Sequence, residues 1–106
     1  MKSCTKSITE SEIPSTKGHF VYILRCADGS LYTGYTTEPL RRLHEHQQGK
    51  GAKYTRGRGP LELVYLEEGS DRSWGQSREE AIKRLSRTKK ERLIEGRRQG
   101  AGSEKL

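Results

Sequence analysis

The run HFVYILRCADGSLYTGYTT, residues 19–37, decides the fold. Two segments rich in aromatic and β-branched residues flank Asp28-Gly29, the pattern of a β-hairpin. Side chains alternate along a strand, and directly opposed residues share a face. The length of the loop therefore decides which tyrosines meet. A two-residue Asp28-Gly29 loop pairs Tyr22 with Tyr35 and turns Tyr32 to the opposite face. A three-residue loop, with Gly29 in the left-handed bulge position, puts Tyr22 and Tyr32 on one face. Only the second lets the two phenols act together, and the expectation is that they do share a face.

Downstream, Thr36 and Thr37 offer helix caps, Glu38 and Pro39 suit a first turn, and LRRLHEHQQ runs on until Gly49. Residues 49–60, GKGAKYTRGRGP, make a glycine-rich basic loop. LELVYLEE, residues 61–68, reads as a third strand. Ser77-Arg78-Glu79-Glu80 has capping-box spacing and opens a helix through Ala81, Ile82 and Leu85; a start at Ser73 is the alternative, with Gln76 three residues on. A last helical piece spans about Thr88 to Glu95. The order is β-β-α-β-α-α. The fold class is α/β in the α+β sense, with a three-stranded antiparallel sheet flanked by helices. Phe20, Ile23, Leu24, Leu63, Val64, Leu66, Ile82 and Leu85 are the core candidates, and Trp74 a cap over them.

The chain has 106 residues, enough for one domain. Leu, Ile, Val and Phe make up 18 of them, a low share for a chain this charged. They cluster at 20–24, 61–66 and 81–94, however, which indicates a small core with polar tails. Residues 1–17 hold three Lys, two Glu, four Ser and three Thr, with Ile8 and Ile13 the bulky apolars beyond Met1. Such a segment cannot offset its chain entropy alone and reads as a disordered arm. GRRQGAGSEKL, 96–106, reads as a disordered basic tail, leaving 18–95 as the folded unit. No stretch approaches a membrane span, and no apolar leader precedes the domain. Cys4 and Cys26 are too few for a disulfide framework or a zinc site, which fits free thiols in a reducing cytoplasm. The formal charge of +7 favours an anionic partner, nucleic acid being the commonest.

The groups that could do chemistry are Tyr22, Tyr32, Arg42, His46, Glu79 and the cations of the loop. Arg42 and His46 stand four apart and project from one helix face. An arginine and an imidazole presented together can hold a phosphate and move a proton. They should face the same groove as the tyrosines. His44 is offset from them, and His19 has no evident partner. Glu79, taken alone, reads as a first-turn acid favoured by the helix dipole. Lys50, Lys53, Arg56 and Arg58 lie among glycines that let cations approach phosphates, and Tyr54 is a stacking or packing residue. Arg41 and Lys83 extend this basic surface.

The order of these pieces is more specific than any one of them. Val21-Tyr22-Ile23, then Tyr32-Thr33-Gly34, resemble the paired tripeptides of the GIY-YIG nuclease family. Arg42 and His46, eight and twelve residues after Gly34, resemble its first-helix pair. Glu79, in REEAIKRL, resembles its metal-binding glutamate. DGSLYTGYTT, GKGAKYTRGRGP and AIKRLSRTKK are similar to a small stand-alone bacterial branch, and the resemblance spans residues 20–94. Thr33 stands where the family name has Ile, and the chain contains no asparagine, although many family members carry one late in the site.

The resemblance implies hydrolysis of phosphodiester bonds, with DNA as the expected substrate. It implies one divalent metal, Mg²⁺ or Mn²⁺, on Glu79. Arg42 would neutralise the phosphate, Tyr22 or Tyr32 would activate water, and His46 would relay a proton or touch phosphate. A phenol in that role needs a pKa well below its reference near 10. Gly29 and Gly34 would serve the backbone turns. The alternative is a nucleic-acid-binding module with weak or no cleavage, accessory to larger repair or recombination proteins.

Overall fold

The computed structural model describes residues 8–50, 57 and 59–100. It contains β1 (His19–Arg25), β2 (Leu31–Thr36), α1 (Pro39–Gln47), β3 (Glu62–Gly69), α2 (Arg72–Lys83) and α3 (Arg87–Gly100), after a short 3₁₀ turn at Glu10–Glu12. The order is β-β-α-β-α-α, as the sequence indicates. The sheet is antiparallel with strand order β2-β1-β3. No helix among the described residues is long and apolar enough to cross a membrane.

The hairpin closes through three residues. Cys26 donates its N–H to the Ser30 carbonyl at 2.8 Å, and Gly29 donates to the Cys26 carbonyl at 2.8 Å. Gly29 has φ +89°, which a side chain would strain, so glycine suits this corner. Asp28 Oδ1 accepts from the Ser30 N–H and hydroxyl, at 3.0 and 2.6 Å, and braces the loop. Tyr22 consequently opposes Gly34, and Leu24 opposes Tyr32. Tyr22 and Tyr32 stand on the same face.

The central strand β1 is buried on both sides, which is why FVYIL is continuously apolar. One face carries Tyr22, Leu24 and Leu63 against Leu43 of α1. The other carries Val21, Ile23, Val64 and Tyr65 against Ile82 and Ile94 of α2 and α3. A bulge at Ile23/Leu24 shifts the β1–β3 register. Leu66 and Leu85, expected in the core, are only half-buried at its margins, as is Trp74.

Three local expectations need correction. The arm expected to be disordered contributes to the first core: Ile8 and Ile13 are 5% and 6% exposed, and Ile8 donates its N–H to the Leu63 carbonyl at 2.6 Å. The entropy argument weighed the segment alone, whereas the face it covers supplies the missing apolar contacts. Next, α2 begins at Arg72, not at Ser73 or Ser77, because Asp71 caps it by accepting the Trp74 N–H at 2.8 Å. Finally, α3 runs through Gly96 to Gly100, so the first five residues of the expected tail are helical; residues 101–106 lie outside the described residues. Arg25 grips Glu91 through two hydrogen bonds, and Arg87 reaches both Glu91 and the Gly29 carbonyl, tying α3 to the hairpin tip.

Candidate active site

The Tyr22 ring leaves the central strand and lies across Gly34 of β2. A Cβ at position 34 would collide with the Tyr22 hydroxyl and ring. Gly34 is therefore no turn residue: it sits within a strand, and its missing side chain makes room for the phenol. From α1, His46 brings Nε2 to 2.9 Å from Tyr22 Oη. Arg42, one helical turn earlier, sets its guanidinium close enough to the same phenol to act on its charge. The Tyr32 ring centroid lies 6.3 Å from Tyr22 and 5.4 Å from His46. The spacing of Arg42 and His46 thus faces both toward the tyrosines.

Charge around this cluster is ordered. Glu45 holds Arg42 at 3.0 Å and Arg41 at 3.2 Å. Burial alone would lower the Arg42 pKa, yet its bonds to Tyr22 and Glu45 keep it above its usual value. Arg42's hydrogen bond chiefly holds the Glu45 carboxyl below its usual value. His46 is 2% exposed, and burial, helped by the Arg42 charge, pushes its pKa down to about 4. It is a neutral imidazole near pH 7. Burial pushes the Tyr22 phenol well above its usual value, with Arg42 opposing and the charges of Tyr32 and Glu79 adding. In the protein alone desolvation outweighs one arginine, so the expected lowering of a phenol would need a metal acting together with Arg42. Arg42 can only donate, so toward it the phenol can present only its oxygen lone pairs. The phenolic proton is then free to point at His46 Nε2, in the tautomer that carries its proton on Nδ1.

Glu79 lies in the third turn of α2, and its charge is felt at Tyr22. The helix has no acid in its first turn, so the capping explanation for Glu79 does not hold. Its carboxylate pairs with Lys83 at 3.0 Å. Among the other expected contacts, Arg41 is exposed and pairs with Glu38 and Glu45, and Lys50 is exposed just beyond α1. Lys53, Tyr54, Arg56 and Arg58 lie outside the described residues. Two neighbouring interactions were not read from the sequence. Glu45 was legible from its spacing of three and four residues after Arg42 and Arg41. His19 stacks on Tyr35 and bonds its hydroxyl at 2.8 Å, a pairing across strands that only the register reveals.

The family model described as "GIY-YIG catalytic domain" matches residues 18–92. The chain belongs to the GIY-YIG family. A UPF0213 protein of Natronomonas pharaonis is 59% identical over 76 residues, covering 72% of this chain and 89% of its own. Another, of Oceanobacillus iheyensis, is 54% identical over 77 residues, covering 73% and 90%. The solution structure of a protein from E. faecalis is 40% identical with TM-score 0.60, covering 89% of this chain and all of that one. GIY-YIG domains are a family of endonucleases that generally use divalent metals. Among the described residues, no group of three or more His, Cys, Asp or Glu gathers as a metal cage. A lone, partly exposed Glu79 does not suit zinc. It does suit magnesium, which keeps most of its waters and takes one or two carboxylates plus substrate phosphate.

Proposed function

We propose that this GIY-YIG protein is a divalent-metal-dependent endonuclease hydrolysing phosphodiester bonds in DNA. The observation that carries this reading is the buried contact of Tyr22 Oη with His46 Nε2, 2.9 Å, beside the Arg42 guanidinium. Hydrolysis needs an activated water, a counter-charge for the phosphate and a route for the proton. Arg42 neutralises charge as it develops on the phosphate. Tyr22, kept a neutral phenol by burial, works as a relay. Its oxygen takes the proton of the attacking water while its own proton passes to His46 Nε2, which ends as imidazolium. His46 is neutral at working pH and can receive that proton. A bound phosphate offsets the Arg42 charge, which after burial is the lesser cause of the low His46 pKa. Tyr32 packs beside both rings. Mg²⁺ or Mn²⁺ on Glu79 would supply Lewis-acid stabilisation of the phosphoryl oxygens and the leaving group.

The test incubates purified protein with supercoiled plasmid and with branched DNA in Mg²⁺, Mn²⁺ or EDTA. Nicking that needs metal and is absent from Glu79→Gln supports the reading. Equal cleavage by Glu79→Gln and wild type removes the site. A second reading is a non-cleaving nucleic-acid-binding module, accessory to repair or recombination proteins. The Glu79–Lys83 ion pair favours it, because the one candidate metal ligand is already engaged. DNA binding without cleavage in any metal would select this alternative.

A further inference from the structure

Next to the phenol cluster opens a groove of about 470 Å³, lined by Tyr35, Thr36, Thr37, Glu38, Arg41, Arg42, Glu45 and Arg72. It runs from the end of β2, past the turn into α1, to the first residue of α2. Arg42 belongs both to this groove and to the cluster around Tyr22, so the two are continuous. Three arginines meet two glutamates here. Arg41 and Arg42 are engaged by Glu38 and Glu45. Arg72 has no ion-pair partner among the described residues, and the neighbouring Asp71 carboxylate is turned to the Trp74 N–H. The Thr36 oxygen accepts from the Glu38 N–H at 3.0 Å, which leaves its own O–H to donate. The Tyr35 ring is held by His19 on one side and meets Gly75 of α2 on the other, so its position is set in advance.

From this we infer that the groove seats the nucleotide adjoining the scissile phosphate on the same strand, with Arg72 taking its far phosphate. The inference rests on the nuclease reading for the place of the first phosphate, at Arg42. An anion arriving at Arg72 displaces no carboxylate, unlike one arriving at Arg41. Hydroxyl donors and an arginine beside an aromatic ring are the usual partners of a sugar–phosphate backbone. The contact is to backbone, so it carries no base preference.

The test measures binding rather than cleavage. A labelled DNA duplex is titrated with the full-length protein in EDTA over a salt series, by fluorescence anisotropy. The variants are Arg72→Gln and, as a control on exposed α3, Arg92→Gln. Loss of one phosphate contact should lower the log–log salt slope of Arg72→Gln by about 0.9 and weaken binding at every sequence tested. Amide shifts in a ¹⁵N-labelled sample given thymidine 3′,5′-bisphosphate should include Thr36, Thr37 and Arg72 and vanish in Arg72→Gln. A wild-type slope in Arg72→Gln, or an equal loss in Arg92→Gln, overturns the groove and leaves the nuclease reading standing. No binding of the duplex by wild type overturns both. Binding through Arg72 by a protein that does not cleave keeps the groove and ends the nuclease reading.

Discussion

At Tyr22 the hydroxyl stands between a group that can only donate, Arg42, and one whose Nε2 can accept, His46. Removing that hydroxyl should separate chemistry from binding. Tyr22→Phe should lower metal-dependent plasmid nicking by about a hundredfold or more, the scale of a lost proton-transfer group, with DNA affinity near wild type. Glu80→Gln should leave nicking intact, since Glu80 is exposed and, among the described residues, pairs with Arg84 on its own helix. Lys83 is the local rival for a cation at Glu79. An i,i+4 pair of this kind contributes about 0.3–0.5 kcal/mol, so Lys83→Met should tighten Mn²⁺ binding about twofold, read by paramagnetic resonance without DNA. At this scale legibility was uneven. The meeting of Tyr22, Tyr32, Arg42 and His46 follows from strand parity and helical spacing, both local rules. Glu79 stood out locally only as a helix acid, and its metal-binding role came through resemblance, because nothing local links α2 to β1. The rise of the Tyr22 pKa was beyond the sequence, since it depends on how completely other elements bury the ring.

Among the elements, β2 carries an avoidable cost. The Thr33 hydroxyl is buried with no hydrogen-bond partner among the described residues, on the face away from Tyr22. An unmet buried hydroxyl costs about 1–3 kcal/mol. Thr33→Val keeps the shape and should raise unfolding stability by about 1 kcal/mol in urea, with nicking unchanged. Unaltered or lower stability would mean the hydroxyl is satisfied by water. The hairpin was legible in detail because Asp28 and Gly29 each do a distinct job in the loop. The start of α2 was not, because Asp71, Ser73 and Ser77 are all competent caps. The choice fell to the one whose position lets Trp74 pack over Gly69. Gly96 failed to end α3 because a glycine stops a helix only when the chain is required to turn there.

Across the whole molecule, one buried group should set the acid limit of stability. His46 has a folded pKa of about 4 against about 6.5 when unfolded, so between those values the unfolded chain binds the extra proton. Its contribution is full above pH 6.5 and is lost as pH falls toward 4, by about 3 kcal/mol. Urea midpoints should decline over that window, and His46→Gln, which still offers Tyr22 an acceptor, should flatten the decline. Midpoints that fall equally in both proteins would assign the loss to carboxylates such as Glu91, whose pKa the Arg25 hydrogen bonds hold down. The arm is the other whole-molecule lesson, because no local rule reports which face of a sheet is left uncovered. The family match begins at Gly18, whereas among the described residues apolar packing already includes Ile8 and Ile13. A fragment trimmed to the family boundary would forgo two isoleucines worth roughly 1.5–3 kcal/mol each. It would also open to water part of the apolar cluster that Ile8 and Ile13 share with Leu43, Leu61 and Leu63. Such a fragment would be sticky as well as weak, prone to pair with its own copies through a surface that the intact chain keeps to itself.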